Sequence, residues 1–240
     1  MPLSLQEDSW LQNILKFPCF NLHYGGLPHF ALKIPRITAS EPFLVTCKVP
    51  ISINKTKYLE TGFKFINNLE TYEFNNSLPT LIQSCRYHVR RYEIEDLNEV
   101  LRITSGAFTY SRFHQDERIK FEVAEEIKRH WILANLGTRM NVDTFVITNI
   151  DNDKTPLGYV SFLVSESTLI IDLIAVSKNH RGKGLGRQLV SRVLTEANYR
   201  RLNVRVGTQS DNPAVNLYST LGFSRTSIES VFHYINEGTL

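Results

Sequence analysis

Arg181-Gly182-Lys183-Gly184-Leu185-Gly186 sets three glycines among two cations, and Arg187 follows directly. Glycine lets a backbone approach a ligand closely and adopt conformations that a side chain resists. The apolar, β-branched run Leu169–Val176 precedes this loop. After it, Leu185, Leu189 and Val193 recur every four residues, with Val190, Leu194 and Ala197 beside them. A strand therefore feeds a helix start. Unpaired amides at a helix N-terminus, flanked by Arg181, Lys183 and Arg187, suit a diphosphate. Tyr218 adds a phenol that can give a proton to a departing anion. Asp172, inside the apolar run, and His114, with a reference pKa of about 6.5, are groups that could take one. Strict alternation puts Asp172 on the face of Ile170 and Ile174. A structural carboxylate and a loop-anchoring histidine are the plain alternatives.

Two other phosphate-binding patterns are absent. The chain has no G-x-x-x-x-G-K-[ST], and Gly182, Gly184 and Gly186 alternate strictly where a dinucleotide fingerprint needs G-x-G-x-x-G. Asn212-Pro213 opens a further helix running to Leu221, with asparagine as cap and proline in the first turn. Capping by itself explains Asn212, and ring packing by itself would explain Tyr218.

Composition narrows the class. With 240 residues and 42% apolar content the chain can bury a substantial core. A formal charge of +3, with aromatics not interleaved among basic runs, gives no case for nucleic acid. No run is long enough for a membrane span, and Met1–Phe20 reads as an amphipathic element rather than a leader. Cys19, Cys47 and Cys85 are odd in number and far apart, which supports neither a disulfide framework nor a metal site. The expectation is a cytoplasmic enzyme without metal, and a homodimer stays open.

The elements fall into two parts, divided near residue 84. Residues 1–84 form a smaller α/β half-domain with strands at Phe30–Ile34 and Phe43–Val49. A helix end is stopped by Gly62, a strand follows from Phe63, and Asn75–Pro79 links onward. Residues 85–240 open with a strand at Tyr87–Tyr92 and a helix over Ile94–Phe108. An amphipathic helix follows from Phe121 to Leu133, then strands at Thr144–Asn149 and Leu157–Val164. After the central strand and its helix come a strand at Leu202–Thr208, the helix Pro213–Leu221 and a closing strand, Ser230–Asn236.

The string R-x-x-G-x-G at Arg181–Gly186, after a strand ending Ile174-Ala175-Val176, resembles the acyl-coenzyme A pyrophosphate loop of the GNAT acetyltransferases. The run Asn212 to Phe223 resembles the N-x-x-A-x-x-x-Y-x-x-x-G-F ending of that family, and the order of elements is that of its fold. The resemblance implies an α/β GNAT fold with a splayed mixed sheet, and acetyl-coenzyme A as co-substrate. It also implies roles for residues. The Ile174 amide would polarise the acyl carbonyl and Val176 would pair with the pantetheine arm. Arg181, Gly182, Lys183, Gly184, Leu185 and Gly186 would hold the diphosphate, with Asn212 also touching the coenzyme. Tyr218 would protonate the leaving thiolate.

Ser111–Ile119 is similar to the S-R-F-H-x-D-x-R-[IF] string of the acetyltransferases that modify nucleotide-linked sugar amines, of the dTDP-fucosamine type. That implies an acceptor site at Arg112, Phe113 and His114, with Arg112 on a diphosphate or hydroxyl and Phe113 stacking on a ring. Where relatives carry an acid soon after the G-F of Gly62-Phe63, this chain has Asn67-Asn68, with Glu70 further on. The base is thus Asp172, His114, Glu70 or water. Another amine, such as a protein N-terminus, a polyamine or an antibiotic, keeps every feature except Ser111–Ile119. A non-catalytic acyl-coenzyme A binder is the third class.

Overall fold

A computed structural model of the chain describes residues 4–23, 42–74, 86–137 and 139–236. The first elements are β1 (Ser4–Glu7), α1 (Ser9–Leu15), β2 (Cys19–His23), β3 (Leu44–Pro50), α2 (Thr56–Glu60) and β4 (Lys64–Phe74). Next come β5 (Tyr87–Arg91), α3 (Leu97–Thr104), α4 (Arg112–Gln115), α5 (Phe121–Gly137), β6 (Val142–Asn149) and β7 (Gly158–Ser165). The last are β8 (Thr168–Val176), α6 (Leu185–Arg200), β9 (Asn203–Gln209), α7 (Ala214–Thr220) and β10 (Ser224–Ile235). The strand expected at Phe30–Ile34, the link at Asn75–Pro79 and the division at residue 84 lie outside the described residues.

Two compact units gather these elements. One comprises Met1–Glu70, Tyr110–Ile127 and Ser227–Leu240, and the other Thr71–Thr109 and Lys128–Thr226. In the first, strand order is β1-β2-β3-β10-β4; in the second it is β4-β9-β8-β7-β6-β5. The Ser111–Ile119 segment and the end of β10 thus group with the N-terminal elements in the first unit. Within Met1–Phe20, the described residues 4–20 are not one amphipathic element but strand, helix and strand start, because Asp8 accepts from the Leu11 amide and caps α1 after β1.

Each unit has its own core. In the first, Val45, Cys47 and Val49 of β3 pack with Tyr58, Phe63 and Phe232. The second carries a core on each face of its sheet. Leu185, Leu189, Val190 and Val193 of α6 meet Val160, Phe162, Leu169 and Ile171. On the other face Val100 and Ile103 of α3, with Ile132 of α5, meet Tyr159, Leu173 and Ala175. The closing strand begins at Ser224, earlier than its apolar run suggests. Residues 224–227 are exposed and polar, so their alternation gives no signal.

Candidate active site

The parallel pairing of β8 with β9 runs from Thr168–Asn203 to Ile171–Val206 and then stops, although β8 continues to Val176 and β9 to Gln209. On its other side β8 stays paired with β7 as far as Val176–Gly158. The Ser177 amide donates to the Leu157 carbonyl at 2.9 Å. A Cβ on Gly158 would meet the Ala175 carbonyl at 2.8 Å, so that carbonyl also faces β7. Alternation then turns the amides of Ile174 and Val176 to the edge where β9 has departed. Strand amides without a ladder partner are strong donors in search of an acceptor. The Val176 carbonyl on this edge accepts from Arg181 Nε at 3.1 Å, which ties the loop back to the strand.

The loop supplies the charge. Gly182 and Gly184 sit at φ of +76° and +78°, a left-handed backbone that side chains resist. Gly184 caps α6, whose first turn holds no acidic residue. The first-turn amides have no partner within the helix, and the positive end of the helix dipole lies here. Leu185 is buried and anchors this turn, while Lys183 is exposed. Left-handed glycines, a helix start and exposed cations thus meet on residues 181–186.

Tyr218 is buried on α7, its ring centroid 6.3 Å from Tyr72 and 5.6 Å from Phe223. Burial raises its phenol above the ordinary tyrosine range, so it carries its proton throughout the physiological range and can only donate. Asn212 caps α7 as expected, its side-chain oxygen accepting from the Ala214 amide at 3.0 Å.

Asp172 requires a correction. The β7 register passes from Ser161–Leu173 to Phe162–Ile171, so Asp172 is the extra residue of a β-bulge. The bulge shifts the alternation by one place. Ile174 returns to the α6 face with Ile171, and Asp172 turns to the opposite face, not the face of Ile174. Its Oδ2 accepts from Trp131 Nε1 at 2.8 Å, Asn135 Nδ2 at 2.7 Å and Arg139 at 2.8 Å. Three donors on one oxygen, one of them cationic, make Asp172 a tie between β8 and α5. Sequence reading missed those partners, although Trp131, Asn135 and Arg139 recur at four-residue spacing as one helix face would.

His114 is also held. Its Nε2 lies 2.9 Å from Glu125 Oε1 and its Nδ1 2.8 Å from Ser111 Oγ. With Nε2–H donated to the carboxylate, Nδ1 accepts from the Ser111 hydroxyl. Ser111 also caps α4. This is the loop-anchoring arrangement. Glu70 is buried at 6% exposure.

Phe113 is 1% exposed, with the Arg112 guanidinium over its ring at 4.4 Å and the His233 ring centroid at 6.0 Å. Its face is taken by the chain's own side chains, so the expected stacking on a ligand ring is corrected. Asp116 is wholly buried. It accepts from Arg118 at 2.8 and 2.9 Å and from His233 Nδ1 at 2.9 Å. Those donors hold the Asp116 carboxyl far below the usual carboxylate range. Complete burial pushes His233 down to about 4, despite the bond to Asp116. An ionised Asp116 accepts, so the neutral imidazole carries its proton on Nδ1. No sequence pattern announces a pair so far apart along the chain.

Comparison with known proteins follows this geometry. Residues 108–223 match the acetyltransferase (GNAT) family. The chain is 28% identical over 141 residues to the spore coat polysaccharide biosynthesis protein SpsD of Bacillus subtilis (strain 168), covering 58% of this chain and 47% of that protein. It is 32% identical over 93 residues to streptothricin acetyltransferase of Streptomyces lavendulae, covering 38% of this chain and 49% of that one. The matches thus span about half the length of these curated relatives. The GCN5-related N-acetyltransferase from Kribbella flavida superposes with a TM-score of 0.61 over 92% of this chain and 82% of that one. At 12% identity that likeness speaks for the fold alone. No helix among the described residues is long and apolar enough to cross a membrane. The matched stretch, residues 108–223, includes the loop, the open strand edge and Tyr218, and the fold that carries them is that of the GNAT acetyltransferases.

Proposed function

We propose that the chain moves an acetyl group from acetyl-coenzyme A to a small amine, the amino group of a nucleotide-linked deoxyamino sugar. One observation carries the transferase reading. The open edge of β8 offers the Ile174 and Val176 amides and leads straight into a glycine loop that fits a diphosphate. In this reading residues 181–186 hold the diphosphate and Val176 N–H pairs with the pantetheine amide. Ile174 N–H donates to the thioester oxygen as the amine nitrogen attacks the carbonyl carbon. An oriented donor of this kind is worth about 3 kcal/mol. The C–S bond breaks as the tetrahedral centre collapses, and Tyr218 gives its proton to the thiolate. Asp172 and His114 already have partners, so the amine's surplus proton passes to water, and a proton returned through water restores the Tyr218 phenol.

The acceptor rests on Ser111–Ile119 and on the relative whose name ties it to polysaccharide biosynthesis. Streptothricin acetyltransferase, by its name, favours an antibiotic amine instead. Coenzyme A release decides between them. The panel is dTDP- and UDP-linked 4-amino and 3-amino sugars beside streptothricin, an aminoglycoside, spermidine and a peptide amine. Turnover with a nucleotide sugar supports the proposal. Turnover only with another amine removes the sugar and leaves the transferase, and release with none removes both.

A further inference from the structure

Among the described residues, the buried side-chain atoms without a hydrogen-bond partner are Asn67 Oδ1, Tyr92 OH, Arg112 Nε, Thr144 Oγ1 and His233 Nε2. Three of them, on Asn67, Arg112 and His233, gather around α4 in the first unit. Asn67 donates from Nδ2 to Gln115 Oε1 at 2.7 Å, leaving Oδ1 unpaired. His233 gives its Nδ1 proton to Asp116, leaving Nε2 as a bare acceptor. Arg112 lies over the ring of Phe113, which itself packs on His233. A buried polar atom left unpaired is costly, and these three lie on α4 or on side chains bonded or packed against it.

Lys48 belongs to the same place. On β3 it stands two residues from Thr46, and Thr46 pairs across to His233 of β10. Lys48, Thr46 and His233 therefore share one face of the sheet, while Val45, Cys47, Val49 and Phe232 fill the core on the other. Lys48 is exposed by surface area, yet the protein packed around its stem and the like charge of Arg112 bring it down to about 8, with Glu229 opposing. Burial likewise brings Arg112 down to about 10, and Asp8 is the charge that opposes that shift. Two cations that repel each other, beside two unpaired acceptors, are matched by a ligand with an anion at one end and hydroxyl groups at the other.

We propose that Lys48 and Arg112, with Asn67 Oδ1 and His233 Nε2, form a subsite for a phosphorylated sugar. The two cations take its phosphate oxygens, and the two acceptors take its hydroxyl protons. The subsite rests on the amino-sugar reading above and names Lys48, Asn67 and His233 as acceptor-binding residues.

The test uses the full chain saturated with coenzyme A, so that the loop at Arg181–Gly186 cannot capture the probe. Titration calorimetry with UDP, dTDP and inorganic pyrophosphate compares wild type with Lys48→Gln, Arg112→Gln and Lys48→Arg. Loss of one charged hydrogen bond predicts about 10-fold weaker binding or more for the two glutamine variants. Lys48→Arg should stay within about 3-fold of wild type, and coenzyme A affinity should not change. Lys48→Gln binding all three probes as wild type does, or Lys48→Arg binding as weakly as Lys48→Gln, overturns the subsite. Charge-dependent binding with no nucleotide sugar acetylated would keep the subsite and refute the acceptor. Turnover of a nucleotide sugar whose KM ignores both glutamine variants would do the reverse.

Discussion

Tyr218 is the residue on which the proposed chemistry depends most. Burial keeps its phenol protonated, and a group that can only donate fits the departure of a thiolate. Tyr218→Phe keeps the ring contacts with Tyr72 and Phe223 and deletes the proton. Turnover should fall by about 10²-fold while coenzyme A affinity and melting temperature hold. Unchanged turnover would return Tyr218 to a packing role. Asp172 gives the opposite expectation. Asp172→Asn weakens the tie to Trp131, Asn135 and Arg139, so the cost should appear in stability, on the order of 1–2 kcal/mol. Its kcat should change by less than about 10-fold, a small effect beside the loss of a general base. A loss of about 10³-fold in a variant that melts normally would restore the base role.

At the scale of elements, the strand β8, the glycine loop and α6 act as one device. The strand lends its open edge, the loop turns through left-handed glycines, and the helix brings unpaired amides and no acid in its first turn. Gly184→Asp places a carboxylate where the diphosphate is expected and strains a φ of +78°. Coenzyme A binding should be lost in equilibrium titration. Gly184→Ala adds the strain without the charge, about 1–2 kcal/mol, and should keep measurable binding. Equal loss in both would trace the effect to backbone shape and not to charge. The loop, β8 and α6 were legible because each has a local signature: β-branched run, glycine spacing, four-residue apolar repeat. The bulge at Asp172 has none, because it exists only in the register with β7.

At the scale of the molecule, the buried pair Asp116–His233 ties α4 to β10 within the first unit and sets its acid sensitivity. Unfolded, a histidine accepts a proton near pH 6.5. Folded, His233 does so only at about 4. Between those values protonation favours the unfolded chain, so stability falls as pH drops from about 6.5 toward 4. Asp116 adds to this below about pH 4, where its stabilisation is lost as pH falls toward its depressed folded value. Thermal midpoints measured from pH 7.5 to 4.5 should decline. In His233→Asn, which can still donate to Asp116, the decline should flatten. A wild-type midpoint that stays level over that range would contradict the account. Asp116→Asn should cost about 3 kcal/mol at pH 7, because Arg118 would lose its buried counter-charge.

The sequence by itself determined the strand–loop–helix at Leu169–Ala197 and the capped helix at Asn212 with the tyrosine on it. Those features rest on periodicities and caps that span only a few residues. Tertiary structure decided the rest. It set where β8 and β9 part, which face Asp172 takes, and that Phe113 is covered by Arg112. It also brought His233 to Asp116 and set Lys48 on the His233 face of the sheet. Each of these depends on the register between strands or on residues far apart in the chain. A bulge or a cross-strand pair is chosen by the partner strand, so the local pattern of either strand alone does not contain it.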